Sequence, residues 1–440
     1  MTELFELDRS VDLHALHRHA PDTYPFLLQS TASTSTHGRY DILFAFPGDA
    51  LILERQEIDF LAALDERWRA EAIPTEHHGL PFTGGWFLCL GSELAAQVEP
   101  ALRLRDDPVL PTAFAVRCPA AVLRDHHSRK CHVILEASVA DRAREILADI
   151  AAITDCDDAA RDRHYALPVA SEDAPGLFTD AVRTAREYIA AGDIYQANLS
   201  RGWSASVDPG LDENRIYESL CSTNPGPFAG LVRWRDATII SSSPERLLRI
   251  RDGIVSTRPI AGTRPRSDDK SVDDSLSAEL FANAKERAEH VMLIDLERND
   301  LGRICEPGTV HVDEMMVLET YAHVHHIVSN VEGRLRRDVT PGSAIRAVFP
   351  GGTITGCPKV RCMQIIDELE AAPRGAYTGS FGYLNRDGSM DLNILIRTMV
   401  MRGDEISFRA GSGIVADSDP DAELAETRAK AEGLLRALAQ

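Results

Sequence analysis

Apolar positions recur along the chain at two periods, about two and about 3.6 residues, and stretches of the two kinds are intermixed. Residues 1 to about 165 read as short strands and turns with two helical patches. PFLLQSTASTSTHGRYDILFAFPGDALIL predicts a strand, a polar turn and two more strands. DRAREILADIAAI, 141–153, has helical spacing. The polar, acidic stretch that follows, TDCDDAARDRHYALPVASEDAPG, is the best candidate boundary. It separates an N-terminal region, 1–165, from a second region, 172–437.

Beyond the boundary, LFTDAVRTAREYIAAGDIYQANLSRGW reads as helix, Gly-Asp turn and strand. FAGLVRWRDATIISSS and RLLRIRDGIVSTRP alternate as strand pairs, and 275–300 predicts one long amphipathic helix. TYAHVHHIVSNVEGRL alternates as a strand. The helix KVRCMQIIDELEA precedes three strand runs, and DAELAETRAKAEGLLRALA closes the chain as a helix. Hairpin-like strand pairs mixed with helices favour an α+β fold over a doubly wound parallel sheet.

Charge narrows the partners. Across 440 residues the formal net charge is −21, which repels phosphate backbones and anionic lipid and argues against nucleic acid or membrane as main partner. A local cationic pocket for a small anion stays open. Eight cysteines are scattered without a C-x-x-C pair, and there is no apolar signal core, so a cytoplasmic location is expected.

Several stretches are candidates for chemistry. RPIAGTRPR, 258–266, looks like a loop built to hold something anionic. Glu286 and Glu289 are three apart in one predicted helix, and Glu423 and Glu426 are three apart in another, so each pair shares a helical face. Such carboxylates suit Mg²⁺. Each E-x-x-E alone is more often a solvated face, and spacing alone does not decide. In HVHH, alternation puts His323 and His325 on one face and His326 on the other, which disfavours a zinc site. Cys89 of FLCLG reads as a buried strand cysteine. PGGTITG, 350–356, and GSGIV, 411–415, are glycine-rich segments whose backbone N–H groups suit an anion.

In order, GDIYQANLSR, SPERL, RPIAGTRPR, KERAEHVMLIDLERNDLGR, HVHHIVSNVEG, PGGTITGCPKVRCMQIIDELE, YTGSFGYL, MDLNILIRT and GSGIVADSDPDAELAETRAK resemble the chorismate-utilising family of anthranilate, aminodeoxychorismate, isochorismate and salicylate synthases. The resemblance covers roughly 172–437 and implies the anthranilate synthase component I type of fold: two packed antiparallel β-sheets with helices outside. It implies chorismate as substrate and Mg²⁺ as cofactor, with Glu289 and Glu426 as main ligands and Glu286 and Glu423 close by. Arg397 and Tyr377 would hold the enolpyruvyl carboxylate; Lys430, Gly411 and Gly413 would meet the ring carboxylate. Glu245 would be the general acid and His326 would face the reacting edge. Ala261, Gly262, Thr263 and Thr353 would line the ring.

Where water-adding relatives carry a lysine, this chain has Gln196, which favours ammonia as nucleophile. Ala261 resembles the anthranilate branch. GDIYQANLS, PGGTITGCPK and MDLNILIRT resemble the aminodeoxychorismate branch instead, and LLQS at 27–30 departs from the L-L-E-S feedback motif of anthranilate synthases. The spread of matches favours aminodeoxychorismate synthase component I in a lysine-independent form, with anthranilate synthase component I as the alternative. No glutaminase segment is visible, so ammonia from a glutamine amidotransferase partner is implied. A catalytically inactive amino-acid-binding or regulatory homologue is the alternative of another class.

Overall fold

The structure, a computed structural model, describes residues 2–32, 38–74, 79–154, 170–208, 211–267, 269–320 and 324–439. Its strands pair antiparallel throughout and form two large sheets, one of twelve and one of ten strands among the described residues. Alternating segments explain why both sheets bury a face: Phe26 and Phe44 project from the first sheet, Phe87, Phe114 and Phe381 from the second. Phe26 stacks on Phe87 at 4.2 Å between ring centroids, and Phe44 meets Phe87 edge-on at 5.5 Å. This aromatic layer is the seam between the sheets.

Helices cover the outer faces. Glu213–Thr223 and Pro420–Leu438 pack on the first sheet through Ile216, Leu220, Ala431 and Leu434. Phe60–Glu71, Pro341–Val348 and the buried side of Ala284–Gly302 cover the second. The architecture is α+β, as the mixture of periods implies.

Each sheet draws strands from both sides of the 155–169 stretch. In the first, Phe26–Gln29 pairs with Phe228–Trp234. In the second, Gly85–Leu90 pairs with Ser380–Asn385. The two sequence regions therefore share both cores.

Two expectations need correction. The helix expected over 275–300 is two helices, Lys270–Ala282 and Ala284–Gly302. Asn283 separates them: its backbone N–H bonds to Glu279 O, and its Oδ1 accepts from Glu286 N at 3.2 Å. An extended asparagine capping the following helix is favoured over a continuous turn. RPIAGTRPR is not an open anion-holding loop, since Ile260–Pro265 is a strand. Its arginines are engaged by the protein's own carboxylates: Arg258 with Glu319, Arg264 with Glu286, and Arg266 with Asp273.

Gly230 lies where the two sheets are in close contact. A β-carbon there would stand 2.6 Å from Phe381 Cζ and 2.9 Å from the Leu27 carbonyl oxygen. Gly230→Ala is expected to lower the urea unfolding midpoint, with a loss of about 1–3 kcal/mol. An unchanged midpoint would show that the seam has slack.

Candidate active site

Glu245 follows the strand Ala237–Ser243 and opens the strand Arg246–Arg251. Its carbonyl accepts from Ile394 N at 3.0 Å and its N–H donates to Ser243 Oγ at 3.2 Å, so the backbone is fixed. The side chain is buried, and Oε1 has no hydrogen-bond partner. Burial pushes the carboxyl up to about 8, opposed mainly by the Thr353 hydroxyl. At neutral pH it holds its proton and is poised as an acid.

His326 lies on the strand Val324–Arg334, opposite Thr263 in register. Burial, and then the charge of Arg397, pulls its imidazole down to about 3, so the ring is neutral. His325, on the opposite face, contacts Thr320 and Asp273 at 2.9 and 3.0 Å and is structural. His323 lies outside the described residues.

Arg397 sits just before the strand Thr398–Arg402 with φ 53°, a left-handed backbone that directs the side chain off the strand line. Its Nη1 donates to Asn224 Oδ1 at 2.7 Å, and burial lowers its pKa. No ion pair with a carboxylate involves this guanidinium among the described residues. Arg397, His326, Asn224 and Ser242 line one small pocket. A larger cavity between the sheets, bordered by Gln29, Tyr40 and Asp391, contains none of the expected site residues.

The remaining residues come from neighbouring elements. Gln196 begins the strand Gln196–Ser206, with its Oε1 buried and unpartnered. Its Nε2 lies 2.5 Å from where a β-carbon on Gly413 would stand; the same test at Gly411 meets Tyr377 Oη at 2.7 Å. Both glycines thus admit polar side chains close to their backbone. Burial raises the Tyr377 phenol to about 12. Thr353 lies in the short turn Gly352–Ile354, its hydroxyl toward the Glu245 carboxyl. Ala261 is buried opposite Ile327. Gly262 has φ 74°, and a β-carbon there would come 2.4 Å from Glu286 Oε2. For Thr263 only the backbone is described.

The four glutamates stand as two pairs. Glu286 is ion-paired with Arg264 at 2.7 Å and Glu289 is half-buried one turn on. Glu426 pairs with Lys430 at 2.8 Å, while Lys430 also donates to Gly411 O at 3.0 Å. Glu423 is buried. Among the described residues no three His, Cys, Asp or Glu side chains are grouped closely enough to hold an ion. The donor chemistry nevertheless fits a hard cation: Glu286 Oε2 and Glu423 Oε2 are both buried and unpartnered.

Sequence reasoning missed Asn224, Arg264 and Glu297. The first was signalled only by the helix-ending Asn-Pro-Gly-Pro turn. Arg264 lies in the stretch expected to hold an anion, and it pairs instead with Glu286. Glu297 is buried on Ala284–Gly302, and burial raises it to about 7. Cys89 is buried in the strand Gly85–Leu90, as expected, and burial pushes its thiol up to about 12, which makes it inert.

In the small pocket a neutral imidazole lies beside a guanidinium that has no carboxylate partner among the described residues, an arrangement suited to an anionic ligand. The chorismate binding enzyme family matches residues 24–436, and the chain belongs to that family. It is 41% identical over 360 residues to an anthranilate synthase component I-like protein of Synechocystis sp., spanning 82% of this chain and 73% of that protein. It is 38% identical over 405 residues to aminodeoxychorismate synthase component 1 of Bacillus subtilis, spanning 89% and 84%. The solved structure of anthranilate synthase component I from Streptococcus pneumoniae TIGR4 superposes with a TM-score of 0.81 at 33% identity, covering 90% of this chain and 92% of that one. The same two-sheet fold is shared. Among the described residues no helix is long and apolar enough to cross a membrane.

Glu245 yields a pH test with a definite sign. Its folded pKa of about 8 exceeds the unfolded value of about 4.3, so the folded state retains a proton that the unfolded state loses. Stability from this group is full below about pH 4.3 and falls as pH rises to about 8. Glu245→Gln should therefore raise the melting temperature relative to the parent more at pH 8.5 than at pH 5. Equal shifts at both pH values would place the carboxyl in contact with water.

Proposed function

We propose that the protein is aminodeoxychorismate synthase component I, converting chorismate and ammonia to 4-amino-4-deoxychorismate and water. The observation that carries a chorismate site is Arg397, a cation in a pocket with a neutral amide as its side-chain partner, beside the neutral His326. A carboxylate entering that pocket completes the charge balance. Glu245, holding its proton at neutral pH, donates it to the departing C4 hydroxyl, which leaves as water. Tyr377 would share the enolpyruvyl carboxylate with Arg397. Lys430 and the backbone at Gly411 and Gly413 would receive the ring carboxylate. Ala261, Gly262, Thr263 and Thr353 would bound the ring.

Glu289 and Glu426 would hold Mg²⁺, with Glu286 and Glu423 beside them. When bound, the ion would neutralise the ring carboxylate and favour charge development as the hydroxyl departs.

Gln196 has no basic atom to deprotonate water, so ammonia is the favoured incoming group. The choice between ammonia-using branches rests on sequence: GDIYQANLS, PGGTITGCPK and MDLNILIRT favour the C4 amine. With Ala261 the chain offers no lysine to attack C2. A solution nucleophile, water or ammonia, would add at C2 as the C4 hydroxyl leaves, and ammonia would then add at C4 as the C2 group departs. Ala261 also favours a second reading, anthranilate synthase component I, in which ammonia enters at C2 and pyruvate is lost. A separate glutamine amidotransferase would supply the ammonia.

Incubation with chorismate, Mg²⁺ and ammonium salt, with products separated chromatographically, is expected to give 4-amino-4-deoxychorismate. Anthranilate and pyruvate as sole products would overturn the branch. Arg397→Ala should lower kcat/KM for chorismate by about 30-fold or more, the scale for truncating one partner of a buried charge pair.

A further inference from the structure

We propose that Asn224 is a positioning residue for the substrate carboxylate, holding the Arg397 guanidinium through a neutral amide so that its charge stays available. This rests on the reading above that Arg397 receives a carboxylate of chorismate. Arginine carries five N–H donors and no acceptor, so the atom facing Nη1 at 2.7 Å is the Asn224 amide oxygen. That bond fixes the direction of the guanidinium plane. It cancels no charge and leaves donors for a ligand.

Asn224 is itself anchored on three sides. It caps the helix Glu213–Thr223, donating its N–H to Leu220 O at 2.8 Å. Its carbonyl accepts from Ser242 Oγ at 2.5 Å, and Ser242 N donates to Arg397 O at 3.1 Å. Ser242 therefore ties the backbones of both partners together. On the third side lies Gly433 of the helix Pro420–Leu438, where a β-carbon would stand 3.2 Å from both Asn224 Cβ and Oδ1. Thr223 Oγ1 also donates to Gly433 O at 3.2 Å. That helix carries Glu423, Glu426 and Lys430, so Asn224 sits between the guanidinium and the helix assigned to the ring carboxylate.

An aspartate here would be nearly the same size but would neutralise Arg397 and compete with the ligand. The site thus requires asparagine for its charge rather than its shape.

The test compares Asn224→Asp, Asn224→Ala, Gly433→Ala and Arg397→Ala in the full chain. Chorismate binding is measured by calorimetry, and steady-state rates with ammonium and Mg²⁺ and melting temperatures are recorded in parallel. Asn224→Asp is expected to weaken chorismate binding and raise its KM by about 10-fold or more. Its kcat at saturation should stay within a few-fold, and its melting temperature should be equal or higher. Asn224→Ala and Gly433→Ala should raise KM to a smaller extent. If Asn224→Asp binds chorismate as the parent does while Arg397→Ala does not, the positioning role is wrong and the Arg397 reading stands. If Arg397→Ala also binds normally, both fall. Should Asn224→Asp fail to fold, parent-like KM in both alanine variants at Asn224 and Gly433 overturns the inference.

Discussion

A guanidinium kept under the protein surface without a carboxylate is costly, because desolvation of an ion takes several kcal/mol that a neutral amide recovers only in part. Around Arg397 the chain accepts that cost. Other buried arginines of the described residues meet carboxylates: Arg246 faces Asp391, Arg374 faces Glu370, and Arg258 faces Glu319. With so many acidic side chains available, a cation left with an asparagine stands out. The surrounding structure supports this imbalance through a left-handed residue, a capped helix and a shared serine.

One cause shifts two titratable side chains in opposite directions. Burial raises Glu245 and lowers His326, so both are uncharged at neutral pH. Arg397 is then the only permanent charge among the three. An anion entering the pocket of Arg397 meets one fixed cation beside one neutral ring.

Much of the fold was legible because its signals are local. Two-residue alternation marked the strand pairs after Phe228, and the Gly-Asp turn marked the end of the helix Pro175–Ala191. The break at Asn283 was also local, an Asn-x-x-Glu cap, but helical periodicity on both sides concealed it. The arginines of RPIAGTRPR were misread for a different reason. Whether an arginine faces a ligand or its own protein depends on how neighbouring elements pack, and the partners Glu319, on a strand, and Glu286 and Asp273, on two helices, are brought to it only by the tertiary fold. Asn224 was hidden in the same way, since Arg397 is 173 positions away.

The interleaved sheets also bear on how the molecule is made. Phe87 pairs with Val116 on one side early, but its neighbour on the other side, Tyr383, is synthesised 296 residues later. At translation rates of about 5–20 residues per second, roughly 15–60 s pass between the two. Throughout that interval the strand Gly85–Leu90 has one edge unpaired, an exposed template for other strands until Ser380–Asn385 arrives.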